Sequence, residues 1–407
     1  MNDVISLLFW PISGLVLISI VITVHELGHY WVGRMFGAAA ESFSIGFGRS
    51  IVERTDSRGT RWRLNWMPLG GFVKFVGELQ APTDTRDDIE TEAEAPRADK
   101  KTRGKPKPAH PVGRPYTDLN PWQRLAVSLG GPAANFLFAI TVFAVLAMTL
   151  GVSQAKEVSI AGVNAGSPAE AAGFKPGDIV IEAGGRTIEM RDDVTRATVL
   201  SAGEPVTYRV RRGEEIVTLT ATPKEEVVRN ENLQVSEKVG RVGLVLEQRD
   251  VSIRQLNPVE GVAYGVKATG DAIGATVNVL RRLVTGKDGL DKLSGPVGIF
   301  NLADKVTDLH LRQENVSFVQ KIVDLLISGI QLAALLSIGV GFFNLLPIPV
   351  LDGGAAVMCI AEGVTGREIP EKVQRIGLTI GLACLASFAL LITGQDLIKL
   401  FGLSLGS

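Results

Sequence analysis

His25-Glu26-Leu27-Gly28-His29 is the segment of this 407-residue chain whose residue types and spacing carry chemistry. On a helix, residues four apart project from one face, so the two imidazoles lie one turn apart with a carboxylate beside them. Such an H-E-x-x-H arrangement gives a zinc ion two ligands and sets Glu26 as general base for the attacking water. Residues 4–24, just ahead of it, carry no charge and are long enough to cross the roughly 30 Å hydrocarbon core as a helix. Arg34 marks a cytoplasmic boundary that puts His25 about 14 Å deeper along the helix. Ionisable groups at that depth are costly unless paired or liganded, so they read as functional.

A catalytic zinc takes three protein ligands and leaves one position open. The other two of the four histidines, His110 and His310, fall in polar stretches that do not reach the pair. Residues 325–350 form another uncharged run, which ends in Asn344-Leu345-Leu346-Pro347-Ile348-Pro349-Val350-Leu351-Asp352-Gly353-Gly354. Asp352 is the carboxylate at the cytoplasmic end of that run. Against the plain reading of a helix-terminating Asp before a Gly-Gly turn, it is taken as the third ligand. Pro347 and Pro349 break the helix ahead of it, and irregular backbone at membrane depth marks a cavity. Asn344 is either an amide donor to a developing oxyanion or a partner in an interhelical hydrogen bond.

Further uncharged runs at 125–152 and 376–394 make four spans. The expected class is a polytopic α-helical membrane protein with transmembrane helices at 1–35, 124–152, 325–354 and 376–400. The start, Met1-Asn2-Asp3, lacks the basic region of a signal peptide. Lys and Arg crowd the loop between the first two spans, and Arg367, Lys372 and Arg375 lie between the last two. Both loops are therefore cytoplasmic, both termini periplasmic, and the long stretch from 154 to 324 extracytoplasmic. A net charge of -1 gives no field that favours nucleic acid, which is excluded as a partner, and 2 cysteines make no disulfide framework.

In the first loop, residues 36–80 alternate apolar and polar residues, as short hairpin strands do, and form a cytoplasmic membrane-associated sheet. Residues 81–115 lack core-forming side chains and read as a disordered insertion. Beyond the second span, Gly166-Ser167-Pro168-Ala169 through Pro176-Gly177-Asp178-Ile179-Val180 reads as a short helix, a turn and a strand. With the alternating strands that follow, 158–223 is similar to a PDZ-like α/β domain, acting either as a peptide-capture site or as a steric screen. Residues 224–323 read as a linker. It contains an amphipathic helix near 258–286 that lies on the bilayer or packs within the protein.

These residues resemble the site-2 protease family of intramembrane zinc metalloproteases, and within it the bacterial regulator of sigma-E protease group. The likeness rests on His25 to His29, Gly46-Phe47-Gly48, Pro68-Leu69-Gly70-Gly71-Phe72-Val73-Lys74 and Gly130-Gly131-Pro132-Ala133-Ala134-Asn135-Phe136. Leu283-Val284-Thr285-Gly286 with Ser294-Gly295-Pro296-Val297-Gly298-Ile299, taken as a PDZ-like block, and the Asn344 to Gly354 motif complete it. The resemblance implies that His25, His29 and Asp352 hold Zn2+, that Glu26 activates water, and that Asn344 positions substrate or stabilises the transition state. It implies that Gly46, Phe47 and Gly48 form a membrane-reentrant hairpin that pairs with unwound substrate. It also implies a bacterial inner-membrane location and, as substrate, a single-span membrane protein such as an anti-sigma factor already trimmed outside. Ala355 stands where members of the group often have His or Arg, and the chain has room for one PDZ-like domain rather than two. The expected function is therefore an intramembrane zinc metalloendopeptidase embedded in the lipid bilayer. The alternative is a PDZ-bearing adaptor with a structural metal site; a transporter would need ionisable residues along the other spans.

Overall fold

In the computed structural model, the described residues are 2–78, 110–199, 201–230, 235–286 and 316–401. They divide into two compact units, one drawn from Met1–Val142, Ala268–Ile273 and Asp288–Ser407, the other from Phe143–Lys267 and Gly274–Lys287.

The first unit is built on long apolar helices. These are α1 (Asn2–Met35), α2 (Pro121–Thr149), α6 (Phe318–Asn344), α7 (Asp352–Thr365) and α8 (Glu371–Phe401). Four of their stretches are long and apolar enough to cross a membrane: Gly14–Met35, Pro121–Thr149, Val319–Asn344 and Glu371–Gly394. Their outward faces carry exposed Leu137, Leu326, Ile380 and Leu390, as contact with lipid requires. The third apolar helix ends earlier than the expected span: it stops at Asn344 rather than running to 354, and the break expected at Pro347 and Pro349 takes effect from there. Asp352 then opens a separate helix, α7, and Gly353-Gly354 form its first turn rather than a connecting turn.

Between α1 and α2 lie two long bent strands, β1 (Ala40–Thr55) and β2 (Arg61–Phe75). Residues 42–45 of β1 lie between residues 71–74 and 61–64 of β2, and 61–64 also pair with 52–55. Two strands thus fold into four short segments, and Phe43, Phe75, Tyr30, Leu119 and Val127 form the core beneath them. Gly46 and Gly48 bend β1 at φ values of 82° and 86°, in the left-handed region that favours glycine. Gly46, Phe47 and Gly48 are therefore a bend inside β1, and the hairpin turn lies farther on at Asp56 to Thr60, where Asp56 N bonds Thr60 O at 3.0 Å.

Residues 81–109 of the expected insertion lie outside the described residues, as do His310 and 294–299. The last residues of the insertion are ordered, contrary to the compositional expectation. Val112 N bonds Arg58 O at 2.8 Å, Arg114 N bonds Gly37 O at 3.0 Å, and Ala39 N bonds Arg114 O at 2.9 Å. Backbone pairing holds them, so the absence of large apolar side chains gave no sign of order. His110 is exposed here and abuts the hairpin turn at Gly59.

The second unit is a sheet in the order β10-β3-β4-β6-β7, with β5 (Arg186–Thr187) beside β4. Its strands are β3 (Val152–Val163), β4 (Ile179–Ala183), β6 (Val206–Arg212), β7 (Glu215–Ala221) and β10 (Leu244–Arg254). The short helix α3 (Pro168–Ala171) and α4 (Arg191–Val199) cover its core of Val158, Ile160, Phe174, Val180, Val194 and Tyr208. The expected limit at 223 is too short. After the antiparallel pair β8 (Lys224–Asn230) and β9 (Val235–Arg241), β10 returns to pair along β3 from Leu244↔Val163 to Arg254↔Val152. Such long-range pairing leaves no local signal. Helix α5 (Pro258–Val284) follows, capped by reciprocal bonds between Asn257 and Glu260. Leu283 and Val284 end this helix instead of belonging to the sheet.

Candidate metal centre

α1 carries His25 and His29, both buried, and their rings meet edge-on with centroids 4.8 Å apart. Asp352 joins them from the start of α7. His25 Nε2 lies 2.9 Å from Asp352 Oδ2, His29 Nε2 lies 3.4 Å from Asp352 Oδ1, and the two Nε2 atoms are 3.1 Å apart. Among the described residues these three alone form a group of His, Cys, Asp or Glu able to hold a metal ion.

The proton positions follow from the partners. His29 Nδ1 lies 2.8 Å from Val127 O, which can only accept, so Nδ1 carries the proton and the neutral ring presents the Nε2 lone pair to the cluster. Asp352 Oδ2 is buried beside His25 Nε2 and meets no other hydrogen-bond partner among the described residues. Lone pairs and a carboxylate crowded this closely repel one another unless a cation lies among them. Space for one is built in. At Gly131 on α2 a Cβ would sit 2.4 Å from His29 Nε2 and 2.7 Å from His25 Nε2, so the absent side chain leaves the ligating faces clear. Two imidazoles and one carboxylate also fit the three-ligand set of catalytic zinc.

α2 organises the rest. Gly28 of α1 and Gly130 of α2 let the helices touch, since a Cβ on Gly28 would lie 2.2 Å from Gly130 O. Asn135 on α2 approaches His25 Nδ1 at 3.1 Å. Near the start of α2, Arg124 Nη2 donates to Glu362 Oε2 of α7 at 2.7 Å, tying the helix that begins with Asp352. Gly353 and Gly354 let α7 start so close to the preceding segment. A Cβ on either would fall 2.2–2.3 Å from the carbonyl oxygens of Leu345, Leu346 or Ile348.

Glu26 is half-buried beside the cluster, within electrostatic reach of His29 and Asp352, and its Oε2 accepts from Val73 N of β2 at 3.1 Å. Asn344 ends α6, half-buried, and its side chain makes no hydrogen bond among the described residues. At the β1 bend, Asn65 Nδ2 donates to Gly46 O at 2.9 Å, and Phe47 stacks on Phe72 while remaining 48% exposed. The structure thus brings His25, His29 and Asp352 together with Glu26 adjacent, and places Gly46, Phe47 and Gly48 in the sheet rather than in the cluster. A search for ionisable residues passes over Val127, Gly131, Asn135 and Val73. The signal for those of α2 is an amide and paired glycines inside an uncharged run, whereas Val73 lies in β2.

The sequence matches the model of peptidase family M50 over residues 13–388. It is 36% identical over 394 residues to metalloprotease MmpA of Caulobacter vibrioides, covering 97% of this chain and 96% of that protein. Proteins carrying zinc metalloprotease names in Agrobacterium fabrum and Mesorhizobium japonicum are 34% and 35% identical, and each alignment covers at least 94% of both partners.

Proposed function

The chain belongs to peptidase family M50, and from that premise we propose that it is a zinc metalloendopeptidase that cuts membrane-spanning segments near their cytoplasmic ends. The observation that carries this reading is the convergence of His25, His29 and Asp352, with Glu26 one residue from a ligand. His25 and His29, through Nε2, and Asp352, through its carboxylate, would hold the ion. The zinc, when bound, polarises the scissile carbonyl and makes a water acidic enough to attack at neutral pH. Val73 N–H fixes one oxygen of Glu26, and the other takes the proton from the attacking water and returns it to the leaving amine. Asn344, whose amide makes no hydrogen bond among the described residues, donates to the oxyanion that develops on the carbonyl.

A helical substrate shields its carbonyls with its own hydrogen bonds, so it must unwind first. The β1–β2 sheet, with its bend at Gly46, Phe47 and Gly48, offers strand pairing to such an unwound segment. β2 also holds Glu26, so substrate pairing and the base are set on one element. By the distribution of Lys and Arg the active site faces the cytoplasmic side and both termini the periplasm of a bacterial inner membrane. The substrate class is single-span membrane proteins, of which an anti-sigma factor shortened by a first cut fits regulated intramembrane proteolysis. The sheet unit supports a PDZ-like reading, with peptide capture in the groove between α4 and the edge strand β10. That cavity, about 450 Å³, is lined by Val194, Thr198, Leu244 and Leu246.

The test is cleavage of a single-span substrate in detergent or liposomes. Glu26→Gln should retain zinc and lose cleavage, and Asp352→Ala should lose zinc as well. Cleavage by Glu26→Gln at the wild-type rate would refute the mechanism, and full zinc content in Asp352→Ala would remove it from the ligand set.

A further inference from the structure

Asn135 is a buried amide that the reaction above does not use. It is 0% exposed, its Nδ2 is 3.1 Å from His25 Nδ1, and its Oδ1 has no hydrogen-bond partner among the described residues. Helix α6 packs closely against this position: the backbone carbonyl of Asn135 accepts from Ser337 Oγ at 3.1 Å, and a Cβ at Gly341 would lie 3.1 Å from the Asn135 Cβ.

A carboxamide can present a donor or an acceptor from the same position by a half-turn of its terminal bond. With Nδ2 toward the ring, it donates to a bare Nδ1, and the imidazole proton then sits on Nε2, facing Asp352 Oδ2 at 2.9 Å. With Oδ1 toward the ring, it accepts Nδ1–H, and Nε2 turns its lone pair to the cluster. Only the second state makes His25 a ligand. We infer that Asn135 is a positioning residue that selects the ligating tautomer of His25, its Oδ1 accepting Nδ1–H when the metal is held. The inference rests on reading His25, His29 and Asp352 as the ligand set. It gives α2 one role at both rings. Val127 O fixes His29 permanently, since a backbone carbonyl cannot reverse, whereas the amide lets His25 carry its Nε2 proton to Asp352 when no metal is present.

Removing such a partner of a metal-bound histidine typically costs 10–100-fold in metal affinity. Zinc competition against a chromogenic chelator on the full chain should therefore show a loss of about 10–100-fold for Asn135→Leu, which has similar volume but no acceptor. Asn135→Asp, which can only accept, should recover affinity to within a few-fold. In the zinc-loaded wild type, ¹⁵N-histidine spectra should place the His25 proton on Nδ1, assigned by its disappearance in His25→Ala. Wild-type zinc affinity in Asn135→Leu, or a His25 proton on Nε2 in the loaded wild type, would overturn the inference. Both of those results leave His25→Ala unable to hold zinc. If His25→Ala itself kept full affinity, the ligand set would be what had failed. Should Asn135→Leu not fold, Asn135→Ala, which also lacks the acceptor, takes its place and should show the same loss.

Discussion

Gly131→Ala adds one methyl group at the point where α2 faces both ligating rings. The new Cβ would lie 2.4 Å from His29 Nε2 and 2.7 Å from His25 Nε2, about 1 Å short of a normal contact. The rings cannot retreat independently, since His29 is held at Nδ1 by Val127 O and His25 by Asn135. Relief must come from parting α1 and α2, which are already at closest approach across Gly28 and Gly130. Overpacking of this kind costs about 1–3 kcal/mol, and the better helix propensity of Ala returns about 1 kcal/mol, so net stability falls by about 2 kcal/mol at most. Geometry suffers more, because a misplacement of about 1 Å in an active site costs on the order of 100-fold in rate. Cleavage and zinc affinity should therefore collapse while the melting temperature in detergent moves by only a few degrees. Gly339→Ala in α6, where the added Cβ meets nothing within 4 Å, is the matched control and should behave as wild type. A Gly131→Ala protein with wild-type zinc affinity and turnover would show that the rings are not arranged as described.

The tie between α2 and α7 gives a second expectation. Arg124→Met strands Glu362, which is 5% exposed, and removing one partner of a buried pair costs roughly 3 kcal/mol. It should lower the melting temperature and, by loosening the helix that starts at Asp352, weaken zinc binding. Arg124→Met/Glu362→Leu should regain most of the stability, and a double variant no better than the single would discount the pair. In the sheet unit, burial raises the pKa of Asp178, but Arg212 Nε and Nη2, both donating at 2.7 Å, and Lys175 N more than offset this and leave it below the usual value. A depressed carboxylate stabilises the fold above its unfolded pKa of about 3.9 and loses that contribution as pH falls through the lower folded value. Asp178→Asn should thus destabilise the unit at neutral pH by about 2–3 kcal/mol and flatten its acid unfolding below about pH 4, measured by urea melts across pH. An unchanged acid limb would assign acid unfolding to other groups. A peptide ending in a free carboxylate should bind the full chain more tightly than its C-terminal amide if the groove beside β10 captures chain ends, and equal binding would favour the steric screen.

What the sequence disclosed, and what it did not, divides along the range of the interaction involved. His25, Glu26 and His29 were legible because a four-residue spacing on one helix fixes their shared face without any knowledge of the fold. Asp352 was legible by the scarcity of carboxylates at the ends of apolar runs, but its setting was misjudged. Its span was expected to run to Gly354, whereas Gly353 and Gly354 belong to α7 and allow it to start against the carbonyls of Leu345, Leu346 and Ile348. β10 was missed because its partner, β3, lies across the whole sheet unit in sequence. Arg114 was placed in disorder because its hydrogen bonds to Phe36 O, and the pairing of its backbone with Gly37 and Ala39, depend on where α1 ends in space.

The contribution of α2 was the least visible, and the reason is chemical. None of the groups it turns toward the cluster is ionisable: a backbone carbonyl at Val127, a missing side chain at Gly131 and an amide at Asn135. A search for ligands and bases passes over all three. Yet the carbonyl sets the tautomer of one histidine, the amide faces the other, and the glycine keeps the space between them open. The proposed ligands and base are carried by α1 and α7, while the geometry around them is set by a helix with no ionisable residue beyond Arg124. In an apolar span that is where positioning groups should be sought, because an uncharged amide or an exposed carbonyl can be buried there at far lower cost than a charge.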